Sequence, residues 1–284
     1  MGIKIDEENG KIKCKCDNIC NSVIHLDFPS VGATENIILA ATISNSEIII
    51  ENSAMEPEIT DLCKFLIKMG VNIEGVGTNV IKVIGNRHLK DVSYNIMPDR
   101  IEAGTFLVAA VITKGNLKIN KVVIDDLNPI LYKLEECGAS IETGNNWIKI
   151  KMSKRPNKLE IKTMPYPGFP TDMQAIFGVL LCLAKGTSII TETIFENRFK
   201  YTQELNRMGA KIKQEGNTII IDGKRKLSNA NVVATDLRGG MALILAGLSS
   251  KGVTKVDKAE YILRGYENLD KKLTKLGAEI FYEA

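Results

Sequence analysis

The length, composition and charge of the chain exclude several classes of protein. Its 284 residues suggest two domains, and 44% hydrophobic with 25% charged residues are globular proportions that exclude disordered and fibrous classes. The net charge of +3 predicts no general attraction to nucleic acid or to an anionic membrane, so any anion site must be local. The longest apolar run, 175–184, is about half a membrane span.

The first residues predict a β-hairpin and contain no targeting signal. Apolar-polar alternation at 3–5 and 12–16 flanks Asn9 and Gly10, a pair typical of tight hairpin turns. The opening residues lack the apolar stretch of a secretory signal, which favours a cytoplasmic location.

The cysteines and histidines indicate neither a disulfide framework nor a metal site. A cytoplasmic chain of this length is expected to keep its six cysteines as free thiols. Cys14, Cys16 and Cys20 lie close together but lack the paired spacing of a zinc site. His25 and His88 have no evident catalytic partner in the sequence, so we expect no Ser-His-Asp chemistry.

A repeated design runs through the chain. Four segments, beginning at residues 58, 128, 202 and 266, each read as an amphipathic helix that ends in glycine, followed by a strand, a turn and a strand. Glycine at that place lets a helix stop in a left-handed turn. The helix-ending glycines recur about every 70 residues: Gly70, Gly138, Gly209 and Gly277.

Each segment is preceded by its own strand and by a second, more apolar helix. These helices contain ILAATI, FLVAAVI, GVLLCLA and ALILAGL, which are apolar nearly all round and should be buried. They open at 31–34, 98–100, 170–172 and 234–236, where Thr and Asp are the residue types that cap a helix. The unit is therefore βαβαββ, and the hairpin at 3–16 looks like the end of an earlier unit.

The residues at these helix openings resemble those of the enolpyruvyl transferases. The resemblance covers essentially the whole chain, and its motifs are specific only when taken together. They are SVGAT at 30–34, PDRIE at 98–102, FPTDMQA at 169–175, FENRF at 195–199, TDLR at 235–238 and RGYE at 264–267.

The resemblance implies an α/β fold, an inside-out α/β barrel built from βαβαββ units. About four units and a remnant would be present here, against six in the family. Residues 1–97 would be the remainder of one domain, and residues 98–284 a nearly complete domain of three units. The family's reactive cysteine loop and an essential lysine lie in units without a counterpart here, so we expect this polypeptide alone to have little or no transferase activity.

The resemblance also implies the substrates. The family reaction that fits FPTDMQA transfers the enolpyruvyl group of phosphoenolpyruvate to the 3-hydroxyl of UDP-N-acetylglucosamine in peptidoglycan precursor synthesis, without a metal or cofactor. We expect these two small molecules as partners, neither nucleic acid nor membrane, and a partner chain or self-association to cover the missing units. Three alternatives remain: a 5-enolpyruvylshikimate-3-phosphate synthase-like enzyme, a non-catalytic binding or regulatory derivative, and the truncated product of a broken gene.

Four arginines are the candidate anion ligands. Arg100, Arg198, Arg238 and Arg264 each lie at or just before a predicted helix start, where a cation opposes the helix dipole. Helix N-termini and arginine forks together suit a carboxylate and a phosphate. The resemblance implies that Arg264 and Arg238 hold phosphoenolpyruvate, with Arg264 catalytic, and that Arg198 lies in the same wall.

Asp172 is the candidate general base. From the residues alone it is equally a helix cap, but an aspartate among arginines should be ionised and able to accept a proton. The resemblance implies that it contacts the attacking hydroxyl. It also implies that Ile194 contacts the nucleotide sugar and that the loop of Ser30, Val31 and Gly32 holds the uridine diphosphate.

Overall fold

The computed structural model describes residues 1–283 and divides into two compact units. Unit 1 holds residues 1–97 together with 165–167, and unit 2 holds residues 98–164 and those from 168 on. Each unit has its own hydrophobic core.

Unit 1 consists of a hairpin followed by one complete βαβαββ segment. The hairpin pairs β1 (Lys4–Glu8) with antiparallel β2 (Lys11–Lys15), which confirms the predicted hairpin. Its turn residues have φ of 52° and 72°, the left-handed values that tight hairpins need. The segment then comprises β3 (Ser22–His25), α1 (Val31–Thr42), β4 (Glu47–Glu51), α2 (Pro57–Lys68), β5 (Asn72–Glu74) and β6 (Val80–Ile84). Its sheet has the order β3-β4-β6-β5, with β3 parallel to β4 and the other pairs antiparallel.

Unit 2 contains three further segments. The first has α3 (Arg100–Ile112), β7 (Asn116–Asn120), α4 (Asn128–Glu136), β8 (Ser140–Gly144) and β9 (Trp147–Lys151). The second has β10 (Glu160–Lys162), α5 (Gln174–Leu183), β11 (Thr187–Thr191), α6 (Tyr201–Arg207), β12 (Ile212–Glu215) and β13 (Thr218–Asp222). The third has β14 (Asn231–Val233), α7 (Leu237–Leu248), β15 (Lys255–Asp257), α8 (Glu260–Leu263) and α9 (Leu269–Lys275).

Only the second segment of unit 2 repeats the complete pattern of unit 1. Its sheet order, β10-β11-β13-β12, has the same topology as β3-β4-β6-β5. The first segment lacks the predicted opening strand, since residues 90–97 form none, and residues 278–283 form no strand after α9. The structure shows an α/β fold in which every sheet within residues 1–283 is open.

The helix-ending glycines behave as predicted. Each stands two residues beyond the last helical residue of α2, α4, α6 or α9 and has φ between 83° and 101°. An L-residue with a side chain rarely adopts this conformation, so glycine allows all four helices to stop at the same relative position.

The three apolar helices of unit 2 are largely buried, as their composition predicts. The prediction is wrong for α1 in unit 1, where four of twelve residues are buried and Leu39 is 47% exposed, because fewer elements pack around this helix. All ten residues of α5 are buried, and α5 packs between α3 and α7 in the core of unit 2. Gly178 allows Tyr201, the first residue of α6, to pack against α5, because a Cβ at Gly178 would lie 2.7 Å from the hydroxyl of Tyr201. The openings of these helices are thereby held in one rigid core, which positions the candidate site.

Candidate functional site

Asp172 is held by two arginines from distant parts of unit 2. Arg198 donates from Nη2 to Oδ1 of Asp172 at 2.6 Å. Arg238 donates from Nη2 and Nε to Oδ2 at 2.9 and 3.1 Å. The structure therefore brings together three of the predicted site residues, which are 26 and 66 residues apart in sequence.

A comparison of the four helix openings shows why the Asp172 carboxylate can bind two arginines instead of capping a helix. In three of the four apolar helices, a side chain of the opening caps the backbone: Ser30 accepts from Ala33 N, Asp99 from Ile101 N and Glu102 N, and Asp236 from Gly239 N. Asp172 instead lies in a 3₁₀ turn, Thr171–Met173, before α5, and its described partners are arginines. The helix-cap alternative for Asp172 is therefore wrong.

The charge state of Asp172 follows from its neighbours. Partial burial raises the pKa of the carboxyl, but the adjacent Arg238 and Arg198 guanidinium groups outweigh burial and hold the pKa below its ordinary value. Asp172 is ionised at neutral pH, as the sequence predicts. The carboxylate can accept a proton only weakly while both arginines remain on it.

Arg238 is more enclosed than Arg198, the other arginine on Asp172. Its side chain is 13% exposed, and its guanidinium lies 5.4 Å from the ring centre of Tyr266. The hydroxyl of Tyr266 in turn hydrogen-bonds Oγ1 of Thr105 on α3 at 2.9 Å. Nη1 of Arg238 is buried and meets full hydrogen-bond geometry with none of the described residues, while the guanidinium interacts electrostatically with the Tyr266 hydroxyl. A buried donor left unpaired is costly and is suited to an incoming anion.

A buried carboxylate, Glu192, organises the loop that carries Ile194. Its Oε1 accepts from Oγ1 of Thr163 at 2.9 Å, from the backbone N–H of Ile194 at 2.8 Å and from that of Phe195 at 3.2 Å. Its Oε2 accepts from Oγ1 of Thr171 at 2.9 Å, next to Asp172. Glu192 thus ties the turn of Asp172 to the loop at 194–198.

That loop borders a cavity of about 580 Å³. Its lining is mostly polar and includes residues 192–199, Gln214, Gly216 and Asn217. Phe195 is 55% exposed, and its ring centre lies 4.9 Å from the guanidinium of Arg198. Ile194 and Arg198 therefore share one cavity wall.

Of the other two arginines, one lies at a helix start as predicted and one does not. Arg100 is the first residue of α3 and is 8% exposed. Arg264 is exposed and lies at the end of α8, not at a helix start, because α9 begins only at Leu269. The helix predicted from residue 266 begins only at Leu269, because Asn268 has a left-handed backbone with φ of 49°, which a right-handed helix does not contain. Gly265 packs against Leu237, the first residue of α7, which fixes the backbone beside Arg264.

The predicted diphosphate loop lies in unit 1. Ser30 Oγ accepts from Ala33 N at 3.3 Å, and Val31 and Gly32 form the first turn of the twelve-residue helix α1. The backbone N–H groups of a first helical turn are donors that suit an anion.

Two site residues were missed by sequence reasoning. Glu192 lies in an unremarkable Thr-Glu-Thr, and its four accepted hydrogen bonds come from residues distant in the chain as well as near it. Tyr266 was present in the RGYE motif, yet its burial against Arg238 depends on tertiary packing. No group of His, Cys, Asp and Glu within residues 1–283 has the geometry of a metal site. No helix in that range combines the length and apolarity needed to cross a bilayer.

The fold and site define an α/β protein with a carboxylate between two arginines and an unpaired arginine donor beside them. Residues 1–273 match the family described as EPSP synthase (3-phosphoshikimate 1-carboxyvinyltransferase), and the chain belongs to this family of carboxyvinyl transferases.

Relatives with specific names show which member of this family the chain is similar to. The chain is 52% identical over 281 residues to UDP-N-acetylglucosamine 1-carboxyvinyltransferase 2 of Caldanaerobacter subterraneus subsp. tengcongensis, and 51% identical over 282 residues to the UDP-N-acetylglucosamine 1-carboxyvinyltransferase of Shewanella sediminis. Each match covers 99% of this chain and 67% of the relative. The fold is similar to that of the enolpyruvyl transferase NikO from Streptomyces tendae, with a TM-score of 0.88 at 24% identity, over 98% of this chain and 69% of NikO.

Proposed function

We propose that the chain carries the phosphoenolpyruvate site and part of the nucleotide-sugar site of a UDP-N-acetylglucosamine 1-carboxyvinyltransferase. The observation that supports this most directly is the Asp172 carboxylate between Arg198 and Arg238, with Nη1 of Arg238 buried and unpaired. The relatives at about half identity carry that enzyme's name, whereas the synthase of the shikimate ester gives its name to the family as a whole.

In this proposal the arginines bind the donor substrate. Nη1 of Arg238 offers a desolvated N–H donor to the phosphate or carboxylate of phosphoenolpyruvate. The guanidinium of Arg198, which is less enclosed, offers a second set of N–H donors. Arg264, exposed at the end of α8, adds a third cation, and Arg100 is assigned to the same substrate-binding set. A dianion engaging these groups competes with Asp172 for them and so releases its carboxylate.

Asp172 is proposed as the general base. The 3-hydroxyl of UDP-N-acetylglucosamine transfers its proton to the carboxylate as its oxygen bonds to C2 of the enolpyruvyl group and C3 takes a proton from water. C3 then returns that proton, the C2–C3 double bond re-forms, and the bond from C2 to the phosphate oxygen breaks, so that inorganic phosphate leaves with the proton held by Asp172. The pKa of Asp172 is held down by two arginines, so weakening either contact strengthens the base. Substrate binding and proton acceptance are thereby coupled through the same guanidinium groups.

The acceptor substrate is assigned to two places. Ile194 contacts the sugar in the cavity bordered by residues 192–199, and the backbone of Ser30, Val31 and Gly32 holds the diphosphate. The same proposal includes a domain division at 97/98, an inside-out barrel of repeated units and a cytoplasmic location. The βαβαββ order found in full twice, at 22–84 and 160–222, supports the repeat.

The experiment is a set of titrations followed by backbone amide NMR. UDP-N-acetylglucosamine should shift the amides of residues 30–32 and 194, and phosphoenolpyruvate those of 172, 198 and 238. Shikimate 3-phosphate, the acceptor of the alternative synthase, should leave residues 30–32 unmoved. Shifts with shikimate 3-phosphate and none with the nucleotide sugar would contradict the proposal.

A further inference from the structure

The loops at one end of unit 2 carry positive charge without compensation. Five loops follow or lie beside the carboxyl ends of α3, α5 and α7, and together they contain ten Lys and Arg and no Asp or Glu. We name the cations of these loops the basic end. Each loop is taken with the adjoining end of its helix or strand, and the five are residues 113–116, 151–158, 182–186, 223–228 and 249–254.

Backbone contacts make these loops one continuous surface. Met152 N donates to Gly115 O at 3.1 Å, which joins the first loop to the second. Lys185 N donates to Pro156 O at 2.8 Å, which joins the second to the third. The third and fourth are joined by Lys224 N and Cys182 O at 2.7 Å. A β-bridge between residues 228 and 251 joins the fourth to the fifth.

The cations of the basic end are available for binding. Eight of the ten are exposed, and none of the ten forms an ion pair within residues 1–283. Arg155 is the exception to availability, because its guanidinium donates to the backbone oxygens of Leu183 and Ala184 at 2.8 and 2.6 Å. The carboxylates that border the loops include Asp222, which accepts from Thr187, Glu136, which is paired with Lys133, and exposed Glu160. Since the whole chain has a net charge of only +3, the remainder of the molecule is negative by about seven charges.

Stabilisation of the helix ends does not account for this charge. A helix carboxyl end is equivalent to about −0.5 elementary charge, so three helices supply about −1.5. Ten cations exceed that several-fold, and an isolated cluster of like charges destabilises the fold unless an anionic partner offsets it. The net charge of the sequence predicted no membrane attraction. That prediction treats the charge as evenly distributed, whereas positive charge is concentrated at the basic end and the rest of the molecule is negative.

We propose that the basic end docks on an anionic lipid surface. The set is eight Lys and two Arg, and the five loops contain no aromatic residue. Proteins that bind single-stranded nucleic acid stack bases on aromatic side chains, and this surface has none. Val253, 78% exposed between these cations, offers a small apolar contact at the headgroup boundary. Lysine clusters of this size are attracted to anionic leaflets without base or sequence recognition.

The test is sedimentation of the intact chain with vesicles. We expect binding to phosphatidylcholine vesicles containing phosphatidylglycerol, none to phosphatidylcholine alone, and loss of binding as salt is raised. Each basic residue near such a surface strengthens binding about fivefold, so Lys154→Gln, Lys158→Gln and Arg225→Gln combined should weaken it about a hundredfold.

The matched control removes the same charge elsewhere in unit 2. Lys162→Gln, Lys200→Gln and Lys271→Gln combined, all at exposed positions, should change binding less than about threefold. Urea midpoints equal to wild type show that both triple variants are folded. The single variant Lys158→Gln tests the same surface with a smaller change in charge. No binding to the anionic vesicles, or equal loss in the two triple variants, overturns the proposal. Tighter binding to duplex DNA than to vesicles at the same salt overturns it in favour of nucleic acid.

Discussion

Replacing Asp172 by Asn should destabilise unit 2 while making its anion site stronger. The substitution keeps the side-chain shape but removes the only charge that Arg198 and Arg238 share. Removing one partner of a fully buried ion pair costs about 3–5 kcal/mol, and of an exposed pair about 0–1 kcal/mol. Asp172 is 37% exposed, whereas Arg238 is 13% and Arg198 21% exposed, so we expect about 2 kcal/mol.

The expected loss of stability in Asp172→Asn depends on the phosphate concentration and on pH. A ligand at tenfold its dissociation constant stabilises the folded state by about 1.4 kcal/mol, so phosphate should restore much of the loss in Asp172→Asn. Because the pKa of Asp172 is depressed on folding, its contribution is present above the unfolded pKa and is lost as the pH falls through the folded pKa. The difference between wild type and variant should therefore be full at neutral pH and shrink under acid conditions.

The assay is urea denaturation followed by fluorescence of Trp147, the single tryptophan, which lies in unit 2. Asp222→Asn is the matched control, because that exposed carboxylate accepts only from Thr187 among its described contacts, and its urea midpoint should not move. If Asp172→Asn is as stable as wild type in phosphate-free buffer at neutral pH, the carboxylate does not hold the arginines as described.

Three further predictions concern other parts of the site and the fold. Arg264→Ala should weaken phosphoenolpyruvate binding several-fold without changing the urea midpoint, because Arg264 is exposed; equal affinity in calorimetry would exclude it from the pocket. Glu192→Gln should lower stability by about 1–3 kcal/mol, since an amide nitrogen cannot accept the bonds that the carboxylate accepts, and should shift the amides of Ile194 and Phe195. Trypsin should cut first in the hairpin at 4–15, whose strand residues are all exposed; first cleavage within 98–164 would contradict this.

Local features of the fold could be predicted from the sequence because they depend on neighbours in the chain. The glycine ends of four helices follow from the left-handed conformation that only glycine adopts easily, and the burial of α5 follows from its composition. The hairpin followed from Asn9 and Gly10. Each signal lies within a few residues of the structure that it determines.

Features that depend on tertiary contacts were harder to predict. Residues 266–268 fit the helical pattern, but the left-handed backbone of Asn268 delays the start of α9 to Leu269, and Tyr266 packs against Arg238 and Thr105 outside the helix. The resemblance placed Asp172 and the arginines in one site, yet the carboxylate's partners and the unpaired Nη1 required the folded structure. Glu192 could not be identified, since its role depends on Thr163 and Thr171 meeting it across the sheet end.

The central claim is that phosphoenolpyruvate binds the guanidinium of Arg238, and arginine side-chain NMR tests it most directly. On titration with phosphoenolpyruvate, the Nε–H resonance of Arg238, which now donates to Asp172 at 3.1 Å, should shift, and that of exposed Arg207 should not. The same titration in Asp172→Asn should reach saturation at lower ligand concentration, because the competing carboxylate is gone. An unmoved Arg238 resonance at saturating phosphoenolpyruvate would contradict the account.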